Sequence, residues 1–143
     1  MKSGEGDAHG PSVARRWARN ARCVGMARAD LRKTLSEWGL ESVQDPAAVV
    51  LSELLTNAVR HAHVPPGREI ETRYARADDG VRIEVHDAAR EHPELRAPDV
   101  EAANGRGLLI VAELSDRWGV NDRDGVGKSV WAVVTPAGAG RWS

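Results

Sequence analysis

Residues 69–87 read EIETRYARADDGVRIEVHD, two runs in which polar and apolar side chains alternate on either side of the turn-forming pair Asp79-Gly80. Alternation with a period of two marks a strand with one buried face, and two such runs joined by an Asp-Gly turn make a β-hairpin. That reading decides the fold class, because a hairpin belongs to an antiparallel sheet, whereas parallel strands need long crossovers. In the second run Val81, Ile83 and Val85 share a side with Asp87, and Arg82, Glu84 and His86 take the other. A carboxylate on the apolar side is costly unless a donor satisfies it. Either the strand ends early and Asp87 turns to water, or Asp87 is a buried acceptor for the amino group of a ligand.

Upstream of the hairpin, Asp45-Pro46 predicts a helix start, an N-cap followed by proline, and the apolar pattern runs to His63 before Pro65-Pro66-Gly67 stops it. At 100° per residue Glu53, Asn57, Arg60 and His61 fall within about a quarter of the circumference. Ala48, Leu51, Leu54, Leu55, Ala58 and Ala62 fill the opposite arc. Taken alone, that polar stripe reads as an ordinary solvated face. Earlier still, Val24, Ala27, Leu31, Leu35 and Trp38 recur at helical spacing over residues 21–38, with Asn20 as the expected cap and Gly39 as a left-handed terminal residue. VARRWAR at 13–19 suggests a short edge strand with Val13, Arg15, Trp17 and Arg19 on one side and Trp17 exposed.

Downstream, residues 88–104 form a long connection with little to bury, a length that points to function or disorder. A helix is expected over 106–117, a strand at WGVND (118–122), a turn at Asp124-Gly125 and a final strand at SVWAVV (129–134). The predicted architecture is an α+β two-layer sandwich, a mostly antiparallel sheet with helices on one face and the other face wet or covered by a partner. Residues 13–135 make the domain, with tails at 1–12 and 136–143.

A chain of 143 residues with 41% hydrophobic content is enough for one core. A net charge of -1 leaves no basic field for nucleic acid or an anionic membrane surface. The single cysteine, Cys23, excludes an intrachain disulfide and a multi-cysteine metal site, and fits a small buried filler in a cytoplasmic protein. Residues 1–12 lack the apolar stretch of a signal peptide, and no run approaches the roughly 18 apolar residues of a membrane span. His61 and His63 lie about 200° apart on a regular helix and cannot share a zinc. His9, His86 and His92 are expected at the surface, and the five tryptophans in core or edge packing.

Two further segments carry chemistry. In NGRGLLIV (104–111), Gly105 and Gly107 flank a helix start and leave backbone N–H groups for an anion. Gly127-Lys128-Ser129 opens the last strand with a cation and a small donor.

The order ELLTNAVRH (53–61), VHD (85–87), GRGL (105–108) and GKS (127–129) resembles the four boxes of the GHKL ATPases, the histidine-kinase-like superfamily with the Bergerat-type ATP-binding fold. Within it the chain is similar to the anti-sigma factor serine/threonine kinases and related single-domain ATP-binding regulators of actinomycetes. The likeness covers roughly residues 13–134, most specifically SELLTNAVRHA and GRGLLIVAELSDRWGV. The resemblance implies ATP and Mg²⁺ as cofactors. Asn57 matches the asparagine that holds Mg²⁺, an oxygen ligand suited to a hard cation, and Glu53 the carboxylate that polarises the attacking hydroxyl or water. Asp87 matches the aspartate that takes the adenine amino group. Gly105, Arg106, Gly107 and Leu108 match the box that lines the phosphates, beneath a lid at 90–104, and Lys128 and Ser129 match the last box. Arg60 and His61 continue the site face without an assigned role.

The chain departs from the pattern after the aspartate. Many relatives have DxGxG there, and this sequence has Asp87-Ala88-Ala89-Arg90-Glu91, whose added Cβ atoms restrict backbone approach to a nucleotide. The resemblance implies a protein serine/threonine kinase that phosphorylates an antagonist protein, binds a sigma factor and offers surfaces to a second copy. The alternatives are a nucleotide-gated binding module without useful turnover and a purely structural α+β domain.

Overall fold

The computed structural model describes residues 8–61, 69–87, 109–122 and 128–136. Along the chain these form β1 (Ala8–Ala18), α1 (Arg22–Glu37), a 3-10 turn (Glu41–Val43), α2 (Gln44–His61), β2 (Glu69–Ala77), β3 (Gly80–Asp87), β4 (Arg117–Asp122) and β5 (Lys128–Val134). Residues 109–114 are also helical. The strands make one sheet in the order β1-β2-β3-β5-β4, with every pairing antiparallel. Helix α2 lies on β3 and β5, and α1 packs against α2. The α+β two-layer arrangement expected from the hairpin is the arrangement found.

The core lies between the layers. Leu31 and Leu35 of α1, Leu51, Leu54 and Leu55 of α2, and Ile70, Tyr74, Val81 and Ile83 of the sheet are buried together. Each such aliphatic side chain contributes about 1.5–3 kcal/mol relative to exposure. Strand register assigns the faces. Ile70, Thr72 and Tyr74 stand opposite Asp87, Val85 and Ile83, and the same positions continue into Lys128, Val130 and Ala132 of β5. Position 87 is therefore in register with the helix-covered side, as its parity in the sequence requires.

Local signals decide both ends of α1. Gly39 has φ +74°, the left-handed conformation that glycine adopts without a Cβ penalty. The Gly39 N–H donates to Ser36 O at 3.2 Å and the Leu40 N–H to Leu35 O at 2.8 Å, closing the last carbonyls. At the other end Ala21, not Asn20, occupies the cap position. Asn20 still serves, because its Oδ1 accepts the Cys23 N–H at 3.2 Å.

Four expectations change. Strand β1 begins at Ala8, so residues 8–12 are paired chain rather than tail. A register shift between Ala8 and Ser12 accommodates Gly10 and Pro11. Trp17 is half-buried rather than exposed: it packs on the core and its Nε1 donates to Thr72 Oγ1 at 2.9 Å. Asp45 does not cap α2, because the 3-10 turn runs directly into a helix that starts at Gln44. Asp45 instead sits in the first turn, where it meets Arg32 Nη1 at 3.0 Å and the positive end of the helix. The hairpin turn falls on Asp78-Asp79, with Asp78 at φ 57°. Gly80 belongs to β3 and is required for another reason: a Cβ there would run into the Val134 carbonyl of β5. The strands expected at 118–122 and 129–134 appear as β4 and β5, each one residue longer at its start.

Candidate functional site

Helix α2 combines two commitments, and burial separates them. Leu51, Leu54 and Leu55 are buried hydrocarbon. Asn57, from the polar stripe, is only 6% exposed, while Glu53 one turn earlier is half-buried. A solvated face would leave an amide in water; this one is held inside, where its polar atoms must be satisfied. Side chains at i and i+4 lie about 5–6 Å apart at Cβ, so the carboxylate and the amide can address one bound group.

The sheet beneath ends in a row of register partners. Trp17 stands opposite Ile70, Ile70 opposite Asp87, Asp87 opposite Lys128, and Lys128 opposite Asp122. The last three positions set acidic, basic and acidic residues side by side across β3, β5 and β4. Arg19, two residues beyond Trp17, donates from Nη1 to the carbonyl oxygen of Ala58 at 3.1 Å. The C-terminal end of α2, which carries Asn57, is thereby drawn to the end of the sheet that carries position 87. Positions 57 and 87, separated by the whole hairpin in sequence, share one end and one side of the molecule.

Ser129 is not gathered there. It pairs with His86 and Asn121 on the face turned away from the helices. Lys128, one residue earlier, is in register with Asp87, because successive strand positions alternate between faces. Residues 90–104, Gly105, Arg106, Gly107 and Leu108 lie outside the described residues, and so does His63.

The face away from the helices holds what the sequence reading missed. Arg82 Nε donates to Glu84 Oε2 at 2.7 Å, and His86 Nε2 lies 2.7 Å from Glu84 Oε1. Arg82 also stacks on Trp131, 4.5 Å from the ring centroid. Arg82 and His86 are each 8% exposed, so His86 is not the surface residue expected for it. This network forms part of the floor of a depression of about 450 Å³ that also touches Arg73 and Ser129. Arginine, glutamate and histidine at i, i+2 and i+4 of a strand were a visible signal that the three share a face, but not that the face is closed over. Burial alone would push the Glu84 carboxyl up. The hydrogen bonds from His86 and Arg82 and the charge of Arg82 outweigh it and hold the group at about 2.

Because Glu84 has its folded pKa below the unfolded carboxylate value of about 4.3, it adds stability above that pH and loses it as pH falls toward 2. Unfolding free energies from urea titrations of the wild-type protein and Glu84→Gln are expected to differ by about 2–3 kcal/mol near neutrality. The difference should shrink steadily between pH 4.5 and 2. A gap that persists at pH 2 would mean that shape rather than charge holds this network.

Among the described residues no group of three or more His, Cys, Asp and Glu is placed to hold a metal ion. No helix among them is long and apolar enough to cross a membrane. An asparagine oxygen one helical turn from a glutamate is a ligand type that suits a hard cation that keeps most of its own waters and is shared with phosphate. Against known proteins, the model of the histidine kinase-like ATPase domain matches residues 11–134. No curated protein matches the chain.

Proposed function

The chain belongs to the histidine kinase-like ATPase domain family, and from that premise we propose that this ATP-binding domain is a protein serine/threonine kinase of the anti-sigma factor type. Asn57 offers its side-chain oxygen to Mg²⁺. Glu53 accepts the proton of the attacking hydroxyl, and Asp87 receives the adenine amino group. Gly105, Arg106, Gly107 and Leu108 are assigned to the phosphates by the family's motif, and Lys128, in register with Asp87, takes the last motif position. With both cofactors bound, the charge of the transferring phosphoryl group is neutralised, and positioning by the chain supplies most of the rest. The γ-phosphoryl group of ATP would pass to a serine or threonine hydroxyl of an antagonist protein as its bond to the β-phosphate oxygen breaks and ADP leaves, and the same chain would hold a sigma factor in the cytoplasm.

The observation that carries the reading is the burial of Asn57 at the end of α2 that Arg19 ties to the sheet. An amide buried at that position carries a hydrogen-bond requirement that leucine would not, and it stands one turn from Glu53 on the polar stripe of α2. A second reading, a nucleotide-gated binding module without turnover, is favoured by one sequence feature. Ala88 and Ala89 stand where many relatives place glycine.

Equilibrium dialysis with ATP and Mg²⁺, followed by incubation of the protein with γ-labelled ATP and a cell extract, tests both. Saturable binding with a labelled small protein is the expected result. Binding with no labelled protein favours the gated module, and no binding at millimolar nucleotide overturns both readings.

A further inference from the structure

Helix α2 is tethered at three levels along its length. Arg32 reaches Asp45 at 3.0 Å in the first turn, Arg28 reaches Ser52 Oγ at 3.0 Å near the middle, and Arg19 reaches Ala58 O at 3.1 Å. The third tether differs in kind. It starts from the end of β1, where a tight turn closes with the Asn20 N–H on Ala18 O at 2.9 Å, and it ends on helix backbone. Ala58 lies toward the C-terminal end of α2, the end at which a helix carries its negative pole. A guanidinium suits that place both as a donor and as a cation.

We propose that Arg19 is a positioning residue for the cation site. By holding the peptide unit next to Asn57, it sets the rotation and height of the last turns of α2 above the sheet end that carries position 87. The proposal rests on the reading of Asn57 as the Mg²⁺ ligand and adds a residue that never touches nucleotide. Outer groups that aim a ligand are worth about 10- to 100-fold in metal affinity. A contact through one backbone carbonyl belongs at the lower end of that span.

Its signature separates positioning from general support. Arg19 acts on Asn57 and not on Asp87, so its loss should fall on the part of ATP affinity that Mg²⁺ supplies. The dissociation constant for ATP is measured with Mg²⁺ and with EDTA for the wild type, Arg19→Gln, Arg19→Lys and Arg32→Gln, alongside the thermal midpoint of each without nucleotide. Arg19→Gln is expected to reduce the Mg²⁺-dependent gain about tenfold with the EDTA value unchanged. Arg19→Lys, which still donates to the carbonyl, should recover much of the gain, and Arg19→Met, which keeps the length of the side chain without a donor, carries the test if the glutamine variant does not fold. Arg32→Gln, three turns away and exposed, should leave both constants alone.

Equal losses with and without Mg²⁺ would make Arg19 a plain structural support and overturn the proposal, and so would no change in either. If the wild type itself gains nothing from Mg²⁺, the assignment of Asn57 fails first. A normal wild-type gain with an unaffected Arg19→Gln sinks the positioning role alone.

Discussion

Glu53→Gln is expected to lower phosphoryl transfer to the antagonist by about 10²- to 10⁴-fold, the span by which a positioned general base accelerates proton transfer. Binding of ATP with Mg²⁺ should stay near the wild-type value. Glutamine keeps the size of the side chain and a carbonyl oxygen but cannot take up the hydroxyl proton. Glu53 is half-buried on α2 and outside the hydrocarbon core, so the exchange should cost little stability. The measurement is a single-turnover labelling assay beside a binding isotherm on the same preparation. A variant that still labels the acceptor at the wild-type rate removes Glu53 from the chemistry. A variant that still regulates its partner while labelling nothing supports the gated module.

Asn57→Ala strikes the other half of the site and should do so through binding. Removing one direct oxygen contact to a charged group costs about 1.5–3 kcal/mol, or roughly 10- to 150-fold in the dissociation constant for ATP with Mg²⁺. On the proposed reading, affinity in EDTA should fall much less, because the adenine contact assigned to Asp87 would be untouched. The side chain is 6% exposed, so its removal also disturbs packing. Thermal midpoints must therefore accompany the isotherms, and Asn57→Asp provides a check. It preserves an oxygen and the volume, and should retain Mg²⁺-dependent binding better than alanine does. If alanine and aspartate weaken binding equally with and without Mg²⁺, the amide is a structural element of the core and the cation lies elsewhere.

The two variants probe residues one helical turn apart, and their spacing was legible before any coordinates. Glu53 and Asn57 fall on one side of a helix because 3.6 residues complete a turn, whatever the rest of the chain does. The side of the sheet that position 87 joins was legible for the same reason, since a strand alternates with period two. Gly39 announced the end of α1 because few other residues accept a positive φ. In each case the signal and its consequence lie within a few residues of one another.

The errors lie where the deciding partner is remote. Asp45-Pro46 has the form of a helix start, yet the 3-10 turn before it shifts the boundary, and Arg32 of another helix gives Asp45 a different role. Gly80 was read as a turn residue, but the strand that demands a glycine there is β5, more than fifty residues on. Which of Lys128 and Ser129 falls on the helix-covered face is decided by the register of β5 with β3, which pairs Lys128 with Asp87 and Ser129 with His86. Arg19 carried no local signal at all, since its acceptor is Ala58 on another element.

By itself, then, the amino-acid order determined the kinds of element, the antiparallel hairpin and the two faces of α2. All of these depend on backbone periodicity and on local steric limits. Only the tertiary structure decided that the Asn57 end of α2 comes to the Asp87 end of the sheet, that β1 reaches back to Ala8, and that Arg82, Glu84 and His86 are closed over. Those outcomes turn on contacts between segments tens of residues apart, whose free energy comes from joint burial and has no trace in the neighbouring sequence of either partner.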